Sequence, residues 1–310
     1  VGDPATEIGA VAQAVGAKSV FAHRDFVPYG QSRDIKVAAS LQSIGVHFVG
    51  ADSPYVVDPG TIRKDDGTPV RVFTPFFKRW QQVNWNSSPS YVPQWSNTTS
   101  LGVALPEIAT THAVLPGVGQ GAARARWNEW SSHGLVQYKE ARNMPGVDGT
   151  SMMSPYLRFG VVHPRQLISD LPGHSGADVF RSEIAWREFY ADVLFHRPDS
   201  MWKNLQTKMD ILPVDTDAAA QQRFAAWCEA RTGYPIVDAG MRQMLAIGWM
   251  HNRVRMIVAS FLVKDLHVPW QWGARFFMKH LVDGDIASNN HGWQWTAGTG
   301  TDASPYFRVF

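Results

Sequence analysis

The stretch Asp283-Gly284-Asp285-Ile286-Ala287-Ser288-Asn289-Asn290-His291-Gly292-Trp293-Gln294-Trp295, followed by Gly298-Thr299-Gly300-Thr301-Asp302, sets two acids, two asparagines and two tryptophans within thirteen residues. Loop filler does not combine ionisable, amide and indole groups at that density. Asp283-Gly284-Asp285 could open a calcium loop, but the spaced acids and closing glutamate that such a loop requires do not follow. What remains is paired carboxylates for acid–base work, or acceptors for ribose hydroxyls or a heteroaromatic ring. Spacing does not choose between them.

Upstream of this stretch the apolar period is helical, with segments over about 122–141, 176–195, 219–230, 237–264 and 270–282 separated by Pro and Gly. In the second, Glu183, Trp186, Arg187 and Tyr190 stand at i, i+3, i+4 and i+7 and share a face. An acid and a base there could simply be solvated, but two aromatics on the same stripe point to a pocket wall. In the fourth, Trp249, Asn252 and Met256 align with Arg255 beside them, so an amide and a cation border apolar groups. His251 has no second histidine at ligand spacing, and no metal site is expected.

Residues 1–80 alternate helix and strand signals. Asp3-Pro4 suits a helix cap and first position, with a stop at Gly16; residues 18–22 read as a strand, 32–43 as a helix, and Val46-His47-Phe48-Val49 as a second strand. This βαβ pattern predicts a partial α/β domain with a parallel, Rossmann-like sheet. Residues 81–121, rich in Asn, Ser, Pro, Thr and Gly, read as an interdomain linker, and 122–310 as an all-α domain. Gly117-Val118-Gly119-Gln120-Gly121 lies in that linker with no strand before it, which argues against a nucleotide loop.

The chain's 310 residues, 45% of them hydrophobic, suffice for two cores. Its 13 tryptophans suit either a large aromatic core or stacking and redox surfaces. With a net charge of only +2, any polyanion must meet a local patch. The single cysteine, Cys228, excludes an internal disulfide and fits a reducing compartment. No membrane span or leader is visible, so a monomeric, cytoplasmic protein is expected. The ends at Val1 and Phe310 read as truncations.

The strings TGYPIVDAGMRQM, GWMHNRVRMIVASFLVKDL, LVDGDIASNNHGWQW and TGTDASPYFRVF resemble the FAD-binding domain of the DNA photolyase and cryptochrome family. The similarity is nearest to the bacterial (class I) enzymes that repair cyclobutane pyrimidine dimers in DNA. It is continuous over about 127–310 and looser through Arg24-Asp25-Phe26-Val27-Pro28-Tyr29-Gly30 and Thr74-Pro75-Phe76-Phe77. Relative to a complete member, the first strands and a short C-terminal tail are absent. The resemblance implies one FAD in the helical domain, with Tyr138, Thr150, Ser151, Met153 and Ser154 about its phosphates. Arg187, Asn252, Arg255, Asp283, Asp285 and Asn289 would surround its ribityl and ring parts, Asn289 facing the ring nitrogen that changes protonation on reduction. Arg255 beside Asp283 would put a cation where a reduced flavin carries negative charge. Glu183, Trp186, Trp249, Asn252, Met256 and Trp295 correspond to the lining of the dimer pocket, with Glu183 hydrogen-bonding the bases. Trp293 and Trp270 correspond to the inner and middle members of the tryptophan chain that re-reduces the flavin. The implied activity is that of a lyase: light-driven, electron-transfer repair of dimers.

This sequence departs from the family's pattern in places. Met152 and Met153 stand within the hydroxyl-rich segment that usually reads Thr-Ser-x-Leu-Ser. His291 replaces a glycine and is expected to point to solvent. The outer tryptophan has no counterpart within 212–217, which leaves Trp227 as its candidate substitute. Asp25 and Arg158 match positions that contact a deazaflavin antenna in relatives, so a second chromophore, 8-hydroxy-5-deazaflavin or methenyltetrahydrofolate, is compatible with the chain. Two rivals remain. One is a cryptochrome-like blue-light receptor without repair, although plant-type receptors carry an acid where this chain has Asn289. The other is a non-catalytic flavin- or nucleic-acid-binding remnant.

Overall fold

Asp3 accepts hydrogen bonds from the Ala5 and Thr6 amides, and Pro4 takes the first helical position, so α1 (Pro4–Ala14) starts where a cap and a proline together dictate. The computed structural model describes residues 2–85, 94, 95, 104, 106, 107, 111–169 and 171–301. Much of the expected linker, and Asp302 with the rest of the TGTDASPYFRVF string after Thr301, lie outside the described residues.

After α1, β1 (Ser19–Ala22), α2 (Pro28–Ser43) and β2 (His47–Gly50) complete the expected unit. The two strands pair in parallel, Ser19 opposite His47 and Ala22 opposite Gly50. Ala12, Val37, Leu41 and Val46 close a small core between strands and helices. α2 begins at Pro28, ahead of the expected residue 32, because a proline preset for helix follows the extended Val27. α3 (Phe73–Trp80) comes next.

The second half is helical: α4 (Gly119–Ala141), α5 (Ser154–Arg158), α6 (Pro164–Ser169), α7 (Ser175–His196), α8 (Ala218–Cys228), α9 (Pro235–Ile247), α10 (Asn252–Ser260), α11 (Trp270–His280) and α12 (Ile286–Ala297). α4 starts inside the stretch read as linker. The segment read as one helix over 237–264 is broken. Gly248 closes α9 in the left-handed region, and the His251 side chain accepts the Arg253 amide to cap α10. Past Ser260 the chain widens into a π-helical turn, Phe261–Asp265. Trp249 therefore lies in the connection and not on the helix that carries Asn252 and Met256, which corrects the three-residue face expected there. Among the described residues no helix is long and apolar enough to cross a membrane.

Two large cores flank this half. One gathers α3, α4 and α7 around Trp80, Trp127, Trp130, Phe180 and Phe189; the other gathers α8 to α12 around Trp227, Met241, Met244, Phe277 and Trp293. α7 packs against α3, α4 and α12. Its Glu188 is buried and accepts from the Val56 and Val57 amides and from Trp80 Nε1, the last at 2.7 Å. One turn on, Asp192 accepts the Gly60 amide at 2.7 Å, and Arg187 donates to the Pro54 carbonyl at 2.8 Å. Successive residues of α7 thus hold residues 54–60 against the helical half.

Burial pushes the Glu188 carboxyl up to about 7, against lowering by its three donors. The fold then binds this proton more tightly than the unfolded chain does. The stability it confers is full below the ordinary carboxyl value and is lost as pH rises toward 7. Glu188→Gln, which cannot ionise, should flatten the decline of melting temperature between pH 5 and pH 7; superimposable wild-type and variant slopes would contradict this. Glu188→Ala strands three buried donors at about 1–3 kcal/mol each, and should cost several kcal/mol of stability.

Candidate active site

Arg255 on α10 donates to the Met250 carbonyl and, from Nη2 at 2.8 Å, to Asp283 Oδ2. The Asp283 side chain is 3% exposed, yet its Oδ1 has no partner among the described residues. A buried acceptor left without a donor costs about 1–3 kcal/mol, so this oxygen suits a donor brought by a ligand. Two residues on, Asp285 caps α12 by accepting the Ser288 amide, and Asn289 follows within the first turn. Asn289 Nδ2 donates to the Ala274 carbonyl and to Asn290 Oδ1, which leaves Asn289 Oδ1 open. An orphaned carboxylate oxygen and a free amide oxygen are the acceptors that a flavin's ring N–H groups call for, and the neighbouring guanidinium is the cation that its anionic reduced form calls for, so the residues present fit FAD. Arg187 stands apart from this group, with its guanidinium over the Tyr55 ring at 4.7 Å.

The expected phosphate end is held from α4. Arg126 donates to the Thr150 and Ser151 carbonyls and pairs with Asp148 at 2.7 Å, while Ser151 Oγ accepts the Met153 amide. Ser154 opens α5. Met152 sits in the left-handed region with φ 54°. Met153 is buried in the core, so its side chain packs and only its backbone faces the loop. Tyr138 is buried too, its ring meeting Trp130 edge-on with Arg142 over it at 5.9 Å.

Two of the residues expected to line the dimer pocket, Glu183 and Met256, each meet an arginine. Glu183 Oε1 accepts from Arg142 Nη1 at 2.7 Å; the adjacent Asn143 accepts from Arg253 Nε at 3.0 Å; and Arg253 Nη1 lies 3.7 Å from the Met256 sulfur. Arg142 and Arg253 were not singled out from the sequence. Arg142 follows Tyr138 by four residues and Arg253 sits between Asn252 and Arg255, but nothing local says which arginine finds a carboxylate. Arg253, half-buried, bonds neutral partners, and burial pulls its pKa below the ordinary value. Trp186 lies flat on Phe73, ring centres 3.7 Å apart and planes 8° from parallel. Trp249 meets His251 edge-on at 6.3 Å, Asn252 is exposed at the first position of α10, and Trp295 is half-buried on α12.

Trp293 is buried, and the tryptophan in ring contact with it is Trp227, edge-on at 6.0 Å. Trp270 donates to Asn204 instead, at 2.9 Å. Trp227 is fully buried with its Nε1 on the Val258 carbonyl, so it cannot be the solvent-near outlet for which the sequence made it a candidate. The expectation for His291 is also overturned. The ring is 1% exposed, stacked over Tyr190, with Nδ1 on the Ala287 carbonyl and Nε2 2.9 Å from Ser200 Oγ. A slot between α7, α12 and the turn Pro198–Met201 takes the ring that a glycine would lack.

Asp25 accepts the Val27 amide, and Arg158 donates to the Gly284 carbonyl at 2.6 Å, tying α5 to the turn before α12. Between α2 and the end of α7 a cleft of about 640 Å³ is lined by Phe26, Gln31, Ile35, Lys36, Phe195 and Pro198. Among the described residues no three His, Cys, Asp or Glu side chains group as a metal site.

A family model described as the FAD binding domain of DNA photolyase matches residues 180–310, and one described as DNA photolyase matches residues 1–94. A deoxyribodipyrimidine photo-lyase of Vibrio cholerae is 39% identical over 329 aligned residues, covering 99% of this chain and 68% of its own. A bacterial class III photolyase from Agrobacterium tumefaciens superposes with a TM-score of 0.85 at 32% identity, over 100% of this chain and 67% of that one. A Synechocystis cryptochrome follows at 0.84 and 29%, over 100% and 68%.

Two outcomes follow from this geometry. Left-handed backbone costs a residue with a side chain on the order of 1 kcal/mol or more, and glycine little. Met152→Gly should therefore leave stability unchanged or raise it by up to about 1 kcal/mol, whereas Met152→Val should lower it; calorimetry giving the reverse order would contradict the assignment. Burial pulls His291 down to about 4, so the fold resists its protonation. Its share of stability is full above the ordinary value of 6.5 and is lost as pH falls toward 4. His291→Gln should melt with a shallower loss between pH 6.5 and pH 4 than the wild type.

Proposed function

The chain belongs to the DNA photolyase and cryptochrome family, and from that premise we propose that it is a deoxyribodipyrimidine photo-lyase of the class I type, a lyase that repairs cyclobutane pyrimidine dimers in DNA. The observation that carries the reading is a pair of partly buried guanidiniums that share one carboxylate: Arg142, bonded to Glu183, and Arg253, which bonds Asn143, lies against the Met256 sulfur and feels the Glu183 charge. A site evolved only to hold a flavin has no use for that charge. A DNA phosphate beside a flipped dinucleotide does.

When bound and illuminated, reduced FAD would lend an electron that splits the cyclobutane ring and is then returned, so that the repair involves no net redox change. The chain's own residues do the rest. Asp283, Arg255 and Asn289 hold the cofactor by the open acceptors and the cation described above, and Thr150, Ser151 and Ser154 meet its phosphates. Enzymes that act on a base in DNA, photolyases among them, draw it out of the stack, and a dimer stacks poorly in the first place. Arg253 and Arg142 neutralise backbone charge at the mouth. Glu183 Oε2, which Arg142 leaves open, accepts from a pyrimidine N3–H. Stacking on Trp186 adds roughly 1–3 kcal/mol, and Met256, Trp249 and Trp295 complete an apolar wall that excludes water.

The domain division is proposed as residues 1–80, a linker, and a helical domain entered through α4. A second chromophore fits the cleft between α2 and α7 better than the Asp25 and Arg158 positions, whose side chains serve local structure. The receptor reading keeps the same flavin site but gives Glu183 and Arg253 no task.

The test is repair of a single-dimer duplex by the reduced, flavin-loaded protein under light. Thymines should return in the wild type. Glu183→Ala should weaken dimer binding roughly ten- to a hundredfold, from about 1.5–3 kcal/mol for a hydrogen bond to a charged group. Arg253→Ala should weaken damaged and undamaged duplexes alike and reduce the salt slope by about one. A loaded protein that binds flavin fully and returns no thymine would replace this reading with the receptor.

A further inference from the structure

Phe73, Phe77 and Trp80 stand at i, i+4 and i+7 and share one face of α3. Their rings form a stack, Phe73 on Phe77 at 5.6 Å with planes 10° apart, and Phe77 on Trp80 at 6.0 Å. Both ends of this stack are fastened to α7. At one end Trp80 Nε1 donates to Glu188 Oε2; at the other, Phe73 lies on Trp186 at 3.7 Å. Phe189 meets Trp186 near-perpendicular at 5.6 Å, and Tyr190 leans on it at 5.5 Å with planes 42° apart. One indole face is therefore covered and the ring's rotation blocked, while the residue stays only half-buried.

We infer that Phe73 is a positioning residue for lesion recognition: it fixes the plane of Trp186 so that the open indole face is preset for a flipped base, and α3, outside the helical half, thereby becomes a determinant of dimer affinity. This rests on the repair reading of the Trp186 pocket. An indole that must be ordered on binding costs affinity, whereas one already held does not. Phe73 touches no substrate; it acts through Trp186.

The experiment uses the flavin-loaded full chain with 5-fluorotryptophan, in wild type, Phe73→Leu and Phe73→Tyr, the Trp186 fluorine line being assigned by its loss in Trp186→Phe. Leucine preserves apolar volume without the flat ring; tyrosine preserves the ring. Phe73→Leu should bind a dimer-containing duplex roughly three- to tenfold more weakly, as expected for one side chain ordered on binding. Undamaged duplex affinity and flavin content should be unchanged, and the Trp186 line should shift and broaden. Phe73→Tyr should restore all of these. The inference is overturned if Phe73→Leu keeps wild-type dimer affinity, or if it loses flavin and undamaged-duplex binding along with it, since a general packing defect does that. A wild type that does not prefer the dimer duplex at all would instead remove the repair reading on which this inference rests.

Discussion

The buried carboxyl of Glu188 is the constraint on which the rest of the arrangement hangs. It closes two backbone amides and one indole of the first 80 residues onto a helix of the second half. A carboxyl this deep is tolerated only because every donor around it would otherwise be orphaned. With Glu188 fixed, the neighbouring positions of α7 acquire their directions: Trp186 toward α3, Arg187 toward Tyr55, Asp192 toward Gly60, Tyr190 toward His291, and Glu183 toward α4. One helix therefore serves both as the join between the two halves and as a wall of the site.

Charge in the site is arranged by pairing. Arg255 is matched by Asp283 and Arg142 by Glu183, each through one short hydrogen bond, and Asp283 keeps one buried oxygen without a partner among the described residues. Arg253 bonds the Asn143 amide oxygen and lies against the Met256 sulfur, within the field of Glu183 and Arg142. A buried acid with one orphaned oxygen and two guanidiniums around one carboxylate, all partly or wholly buried, are costly in an empty protein and useful in one that takes a heteroaromatic cofactor and a phosphate-bearing substrate. That cost is the physical reason to read the group as functional.

Much of this was legible in the sequence because it follows local rules. Asp3-Pro4 and Asp285 announce helix starts, and the strands at 19–22 and 47–50 are short, mostly apolar runs, each preceded by a turn glycine. The break at Gly248 was missed because the hydrophobic period runs on across it, while the left-handed cap and the His251 side chain override that period. The exposure of two side chains leaves no local trace. That of His291 and Trp227 is set by partners far along the chain, Ser200 and Tyr190 for one, Val258 and Phe277 for the other. The same distance hid Arg142 and Arg253: a salt-bridge partner 41 residues away leaves no trace in a window of the sequence.

A crystal structure of the flavin-loaded protein with a short duplex containing one thymine dimer tests the account most directly. It predicts the dimer flipped into the helical half, a pyrimidine N3–H within hydrogen-bond distance of Glu183, one base flat on the open face of Trp186, and an adjoining phosphate on Arg253. Duplex bound elsewhere on the surface, with Glu183 Oε2 and Trp186 untouched, would contradict it.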